Sequence, residues 1–116
     1  MKLEREMMRG AGPSAVLQIL SQSEKYGYEL VEALAKQSQG VLAMGQSTLY
    51  PMLYNMEAKG LVASRIDSSG PRSRRYYRLT PKGKKRLAAD CRQWQSLVDG
   101  LIALKILEFP NAEVVS

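Results

Sequence analysis

Nine lysine or arginine side chains fall between Arg65 and Arg86, at positions 65, 72, 74, 75, 78, 82, 84, 85 and 86, and Asp67 is the single acid among them. The whole chain of 116 residues carries 17 bases and 11 acids, a net of +6. Outside this block it is mildly acidic, so the positive charge belongs to one segment. Scattered bases usually mean a solvated surface, whereas bases segregated in this way form the electrostatic footprint of a polyanion binder, for nucleic acid or an anionic membrane surface. The chemistry available to such residues is multivalent phosphate neutralisation. Little else is on offer. The chain has no histidine and one cysteine, Cys91, which removes Ser-His and Cys-His nucleophiles, HExxH metalloprotease chemistry, the usual zinc sites and any internal disulfide. No catalytic residue, metal or cofactor is expected, and an enzyme is disfavoured.

The elements that must position these bases follow from periodicity and punctuation. Pro13, followed by Val16, Leu17, Ile19 and Leu20, reads as a helix starting at proline, with the stretch before it, through Leu3 and Met7, as its alternative continuation and Gly10 and Gly12 marking a break or kink. A second helix runs from Tyr26 to a stop at Gly40. Leu49, Met52, Leu53 and Met56 fall at i, i+3, i+4 and i+7, a third, amphipathic helix with Pro51 near its first turn and Gly60 at its end. Residues 61–66 and 75–80 read as two strands flanking the turn-rich "DSSGPRSR", which makes a hairpin with basic tip and second strand. Thr80-Pro81 supplies the N-cap and first-turn proline of a last helix, roughly Pro81 to Leu107. The expected fold is mainly α with a small β-hairpin (α+β), a winged helix-turn-helix over residues 1–80 and a long C-terminal dimerisation helix with its tail over 81–116. In that order of elements, the third helix reads base edges in the major groove and the hairpin is the wing along the phosphates. "GVLAMGQS" at 40–47 imitates a phosphate loop, but it has Gln46 in place of the lysine and follows a helix instead of a strand.

Three stretches, "YGYEL" at Tyr26–Leu30, "STLYPMLYNMEAKGLV" at Ser47–Val62 and "RRYYRLTPKG" at Arg74–Gly83, resemble the motif blocks of PadR-family transcriptional regulators. The resemblance covers about residues 26–83 and departs from the family pattern at Ser47, where a glycine is usual. It implies a dimeric repressor that leaves its operator on binding a small, often aromatic, effector. With about 36 residues after the wing, the chain is similar to the short subgroup with a single C-terminal helix. Some members of that subgroup are multidrug sensors with a tryptophan in this helix, and Trp94 occupies the matching place.

The partners expected are double-stranded DNA, a second copy of the chain and a small aromatic effector. Base readout falls to Gln46, Ser47, Thr48 and Tyr50, and phosphate binding to Tyr28, Arg72, Arg74 and Arg75, with Lys82 and Lys84 in support. Tyr28 and Tyr50 have a second reading as core aromatics with a wet hydroxyl. The dimer face expected on the last helix is Leu87, Cys91, Trp94, Val98 and Leu101. Trp94 either binds the effector, with Asp99, Glu108 or another acid favouring cations, or fills the dimer core. The alternative from another class is a winged-helix module that binds a protein partner and not DNA; it calls for an apolar hairpin, which this sequence lacks. MKLEREMMRG has no signal-peptide run and no stretch reads as a membrane span, so a cytoplasmic location without membrane contact is the expectation.

Overall fold

The structure, a computed structural model, describes residues 1–108. The element order is α1 (Arg5–Gln22), β1 (Lys25–Tyr26), α2 (Gly27–Gln37), α3 (Gln46–Ala58), β2 (Val62–Asp67), β3 (Arg74–Leu79) and α4 (Pro81–Ala103). Four helices accompany a three-stranded antiparallel sheet of order β1-β3-β2. The α+β winged helix expected from the sequence is therefore present, together with the long C-terminal helix.

The helical periodicity is spent on one core. Val16 and Leu17 of α1, Leu30 and Leu34 of α2, and Leu49 and Leu53 of α3 are essentially inaccessible to solvent, and Val62 and Tyr77 close the core from the sheet. Tyr77 is the inward residue of β3, and burial raises its phenol pKa above the ordinary value. The register pairs Val62 with Leu79 and Asp67 with Arg74. β1, which the sequence reading does not contain, pairs Lys25 with Tyr77 and Tyr26 with Tyr76. At two residues it is too short to show an alternating pattern.

Three boundaries differ from expectation. α1 is continuous through Pro13 and does not start there. The proline forfeits the hydrogen bond to Arg9 and crowds its carbonyl, at a cost of about 3 kcal/mol. Burial of Met8, Gly12, Val16, Leu17, Ile19 and Leu20 along the one helix offsets that cost. Gly12 is a site of close approach: a Cβ there would lie 2.9 Å from Cε of Met52. Pro51 sits in the second turn of α3, not the first. α4 stops at Ala103, short of Leu107, because Lys105 takes a left-handed φ of 67° and the N–H of Ile106 turns back to the carbonyl of Leu101 at 2.9 Å. No glycine announces that stop. At 23 residues, α4 is about 35 Å long, which accounts for extents of 55 × 27 × 27 Å.

The end of α3, both ends of the hairpin and the start of α4 meet at one point. Gly60 turns the chain with φ 76°, and the Leu61 carbonyl accepts the Thr80 N–H at 3.1 Å. The Thr80 hydroxyl lies 2.6 Å from the Gly60 carbonyl and 3.0 Å from that of Leu61, and it accepts the Gly83 N–H at 3.0 Å. A Cβ on Gly83 would drive into the Leu61 carbonyl oxygen, which is backbone and cannot move aside. Gly83→Ala is therefore expected to destabilise the fold by roughly 3 kcal/mol, the upper end of overpacking, and Thr80→Ala by about 1 kcal/mol from the lost cap. Urea unfolding followed by circular dichroism checks both, and equal stability of Gly83→Ala and the native chain would show that residue 83 is not pressed against Leu61.

Candidate nucleic-acid interface

Gly45 is the N-cap of α3, and no side chain caps the helix and no acid occupies its first turn. Its N-terminal amides and positive dipole end are left facing outward. Gln46, Ser47 and Thr48 are all exposed on this turn. Tyr50 is 43% exposed, and its ring lies against the backbone of Gly27 at the start of α2, where a Cβ would collide with the phenol. The hydroxyl end and one ring edge of Tyr50 are the parts that meet Gly27, while the side chain as a whole stays partly open. Tyr28, at 53%, is exposed on the adjoining turn of α2.

The wing does not present its arginines as one set. Strand alternation sends Arg74, Tyr76 and Arg78 to one face of β3 and Arg75, Tyr77 and Leu79 to the other. On the outer face the guanidinium of Arg74 lies 4.5 Å from the Tyr26 ring centroid, and that of Arg65 lies 4.9 Å from the Tyr76 centroid. The two rings meet edge to face at 5.5 Å. Arg65 is also paired with Glu24, which holds the exposed carboxyl below its ordinary pKa. This ladder of cations and rings ties all three strands together. Arg75, on the face toward α3, donates from Nη1 to Ser64 Oγ at 2.9 Å, and Ser64 donates to Glu57 of α3 at 2.7 Å.

Arg72 is exposed at the tip, in a loop shaped by Asp67, whose Oδ1 accepts the N–H of Ser69 at 3.0 Å and its hydroxyl at 2.6 Å. These bonds lower the pKa of Asp67. Lys82 donates to the carbonyl of Lys59 at 2.7 Å, so its ammonium tends the C-terminus of α3, while Lys84 is exposed. The sequence showed the charge of the wing but not this division of labour, because cation-aromatic pairing depends on the register with β1.

Residues 16–89 match the family described as "Transcriptional regulator PadR-like family". The chain belongs to this family of transcriptional regulators. It is 34% identical over 93 residues to the transcriptional regulator Rv3488 of Mycobacterium tuberculosis, covering 80% of this chain and 84% of that protein. The crystal structure of a PadR family transcriptional regulator from Eggerthella lenta is 39% identical, with a TM-score of 0.71 over 85% of each chain. Bacillus subtilis PadR in complex with operator DNA shares the fold, at 24% identity and a TM-score of 0.61, over 66% of this chain and 44% of that one.

The PadR-like motif blocks now have physical content. "YGYEL" puts Gly27 under Tyr50, and "AKGLV" and "RLTPKG" supply the Gly60-Leu61 and Thr80-Gly83 junction. On α4, the expected dimer face is spread over different surroundings. Leu87 packs partly on the core, Trp94 and Leu101 are half-buried, and Cys91 and Val98 are exposed. The Trp94 indole N–H donates to Ser14 Oγ of α1 at 2.9 Å, and Ser14 donates to Asp90 Oδ2 at 2.7 Å. Arg86 Nε holds the other oxygen of Asp90 at 3.1 Å. The acid beside Trp94 is therefore Asp90, not Asp99, which accepts from Gln95 at 2.9 Å. Ser14 and Asp90 were missed as partners of Trp94; the Arg86 to Asp90 spacing of four was the available signal. Clefts of about 290 and 460 Å³ flank the indole, and Asp90 lines both.

Gly27→Ala is expected to swing the Tyr50 ring off α2 while costing stability only about 1 kcal/mol, since the clash is with the far end of a mobile side chain. The Tyr50 ring resonances in an NMR spectrum should shift while the unfolding midpoint stays near the native one. Unmoved resonances would show that the ring is not seated there.

Proposed function

We propose that the protein is a homodimeric repressor that reads its operator with the first turn of α3, grips phosphates with the wing, and lets go when a small aromatic molecule binds at Trp94. The observation that carries the reading is the uncapped, acid-free N-terminal turn of α3, whose neutral donors and acceptors are exposed. Base readout belongs to Gln46, Ser47, Thr48 and Tyr50. Phosphate binding belongs to Arg72, Arg74, Arg75 and Tyr28, with Lys82 and Lys84, at the start of α4, in support. Residues 1–80 form the DNA-binding unit and 81–116 the dimerisation element, of which 109–116 lie outside the described residues. The operator complex of Bacillus subtilis PadR supports DNA as the ligand.

Replacing Arg72, Arg74 and Arg75 with alanine is expected to weaken binding to every duplex and to flatten the dependence of log K on log salt by roughly 0.9 for each phosphate left without its cation. Base preference should survive. Thr48→Ala or Gln46→Ala should instead change which bases are preferred. Salt-titrated anisotropy with matched duplexes separates the two effects, and an unchanged slope in the triple variant takes the wing out of the interface.

The dimer follows from apolar surface left open on and after α4. Leu97, Val98, Leu104, Ile106 and Leu107 are exposed, more than a lone helix of a soluble chain leaves uncovered. Pairing α4 with α4 of a second copy across a two-fold axis covers it. Trp94 then stands near the axis with Asp90 beside it, a flat apolar face and a carboxylate suited to an aromatic cation. Flat aromatic cations are expected to quench the fluorescence of this sole tryptophan saturably at micromolar concentration and to lower DNA affinity. Trp94→Phe should lose the response yet sediment as a dimer. Dissociation of that variant to monomers, or unchanged emission of the native protein, makes Trp94 a packing residue.

A further inference from the structure

The start of the chain holds a second basic cluster that the proposed reading does not use. Lys2, Arg5 and Arg9 line an open cleft of about 650 Å³ together with Thr48 and Met52 of α3. These cations are not on a loose end. The backbone N–H of Leu3 donates to the Val41 carbonyl at 3.1 Å, in the loop that leads into α3. The Leu3 side chain packs against the core and Met8 is buried within it. Lys2 and Arg5 are therefore held beside the first turn of the reading helix.

Orientation around α3 places the cluster on a definite flank. Thr48 and Met52 are one turn apart on the side toward α1, and Tyr50 is two residues on from Thr48, about 200° around the helix, on the side toward Gly27. The exposed turn of α3 thus lies between the Gly27 end of α2 and the basic cleft. All three bases are exposed, and the ion pairs among the described residues, Arg65 with Glu24 and Arg86 with Asp90, use none of them. Glu4 and Glu6 are neighbours in sequence but do not line the cleft.

The placement also works against α1 itself. Arg5 is its first residue, at the dipole end that repels cations, and Arg9 stands one turn on, a like-charge pair at i, i+4. Glu4 at the N-cap and Glu6 in the first turn offset part of that repulsion.

We propose that Lys2 and Arg5, with Arg9 one turn deeper, bind phosphates of the duplex that α3 reads, so that the reading helix is clamped by backbone contacts on the α1 flank as well as by the wing. The clamp rests on the operator reading above. Phosphate contacts of this kind set register and orientation and carry no base preference.

The test is salt-titrated binding of full-length Lys2→Ala/Arg5→Ala to a mixed-sequence duplex longer than two helical turns, beside the native chain and the wing variant. The expected result is a slope of log K against log salt lower by roughly 0.9 for each phosphate no longer neutralised, a melting temperature equal to or slightly above the native one because both side chains are exposed and Arg5 opposes the α1 dipole, and recovery of the slope in Lys2→Arg/Arg5→Lys. A native slope in the alanine variant, with the wing variant flattened, overturns the clamp and leaves the operator reading intact. No salt-dependent binding by the native chain sinks both. If the alanine variant changes sedimentation instead of salt slope, the cleft belongs to a second copy and the clamp is overturned.

Discussion

One carbonyl oxygen organises this protein. The Leu61 carbonyl receives the Thr80 N–H at 3.1 Å, lies 3.0 Å from the Thr80 hydroxyl, and is pressed by the bare Cα of Gly83. Around it the stop of α3, the closed end of the hairpin and the first turn of α4 are brought together and oriented. Each partner is needed: threonine caps α4 through the Gly83 N–H, glycine permits the approach, and Gly60 turns the chain so that Leu61 arrives in place. Since α3, the wing and α4 all leave from this junction, their mutual angles are set in a few residues.

Order is graded outward from that point. The strands of the wing are fixed by the ladder Arg74, Tyr26, Tyr76, Arg65 and Glu24 on one face and by Arg75, Ser64 and Glu57 on the other. The tip is shaped only by local bonds from Asp67 to Ser69 and a contact between Ser68 and Ser73. Such a gradient suits the proposed labour of the two parts. Reading base edges demands a helix held within fractions of an ångström, whereas phosphate contacts tolerate a tip that adapts to the backbone it meets.

The order of helices and hairpin, the α3 core face and the Thr80 cap were legible because periodicity and capping chemistry are local. Pro13 shows where local rules end. A proline-glycine cluster ordinarily interrupts a helix, but here six buried positions along α1 outweigh it, and α1 is packed chiefly by α2, α4 and β3. β1 is two residues long and exists only through its register with β3. The stop of α4 at Lys105 lacks the glycine that usually signals it. The exposure of Gln46, Ser47 and Thr48 on the first turn of α3 was readable from position, while Ser14 joins Trp94 across 80 residues of sequence, a distance no spacing rule spans.

The electrostatics and the fold are not independently optimised. The first turns of α3 and α4 contain no acid, α4 begins with Lys82, Lys84, Lys85 and Arg86, and α1 begins with Arg5. Each cation at a helix N-terminus opposes the macrodipole by about 0.3–1 kcal/mol when exposed. A few of these penalties are a sizeable fraction of a net stability of about 5–15 kcal/mol. Among the described residues, only one of these cations has a carboxylate partner: Arg86 pairs with Asp90 at 3.1 Å and so reinforces the support of Trp94. A polyanion bound beside any one of these helix starts offsets the penalty there, because the charges that repel the dipole then face phosphate. On the proposed reading, DNA binding therefore stabilises the fold as well as occupying its surface. On the same proposed reading, an effector at Trp94 would act beside Asp90, one helical turn from Arg86, and so would reach the basic end of α4 through the ion pair that steadies the indole.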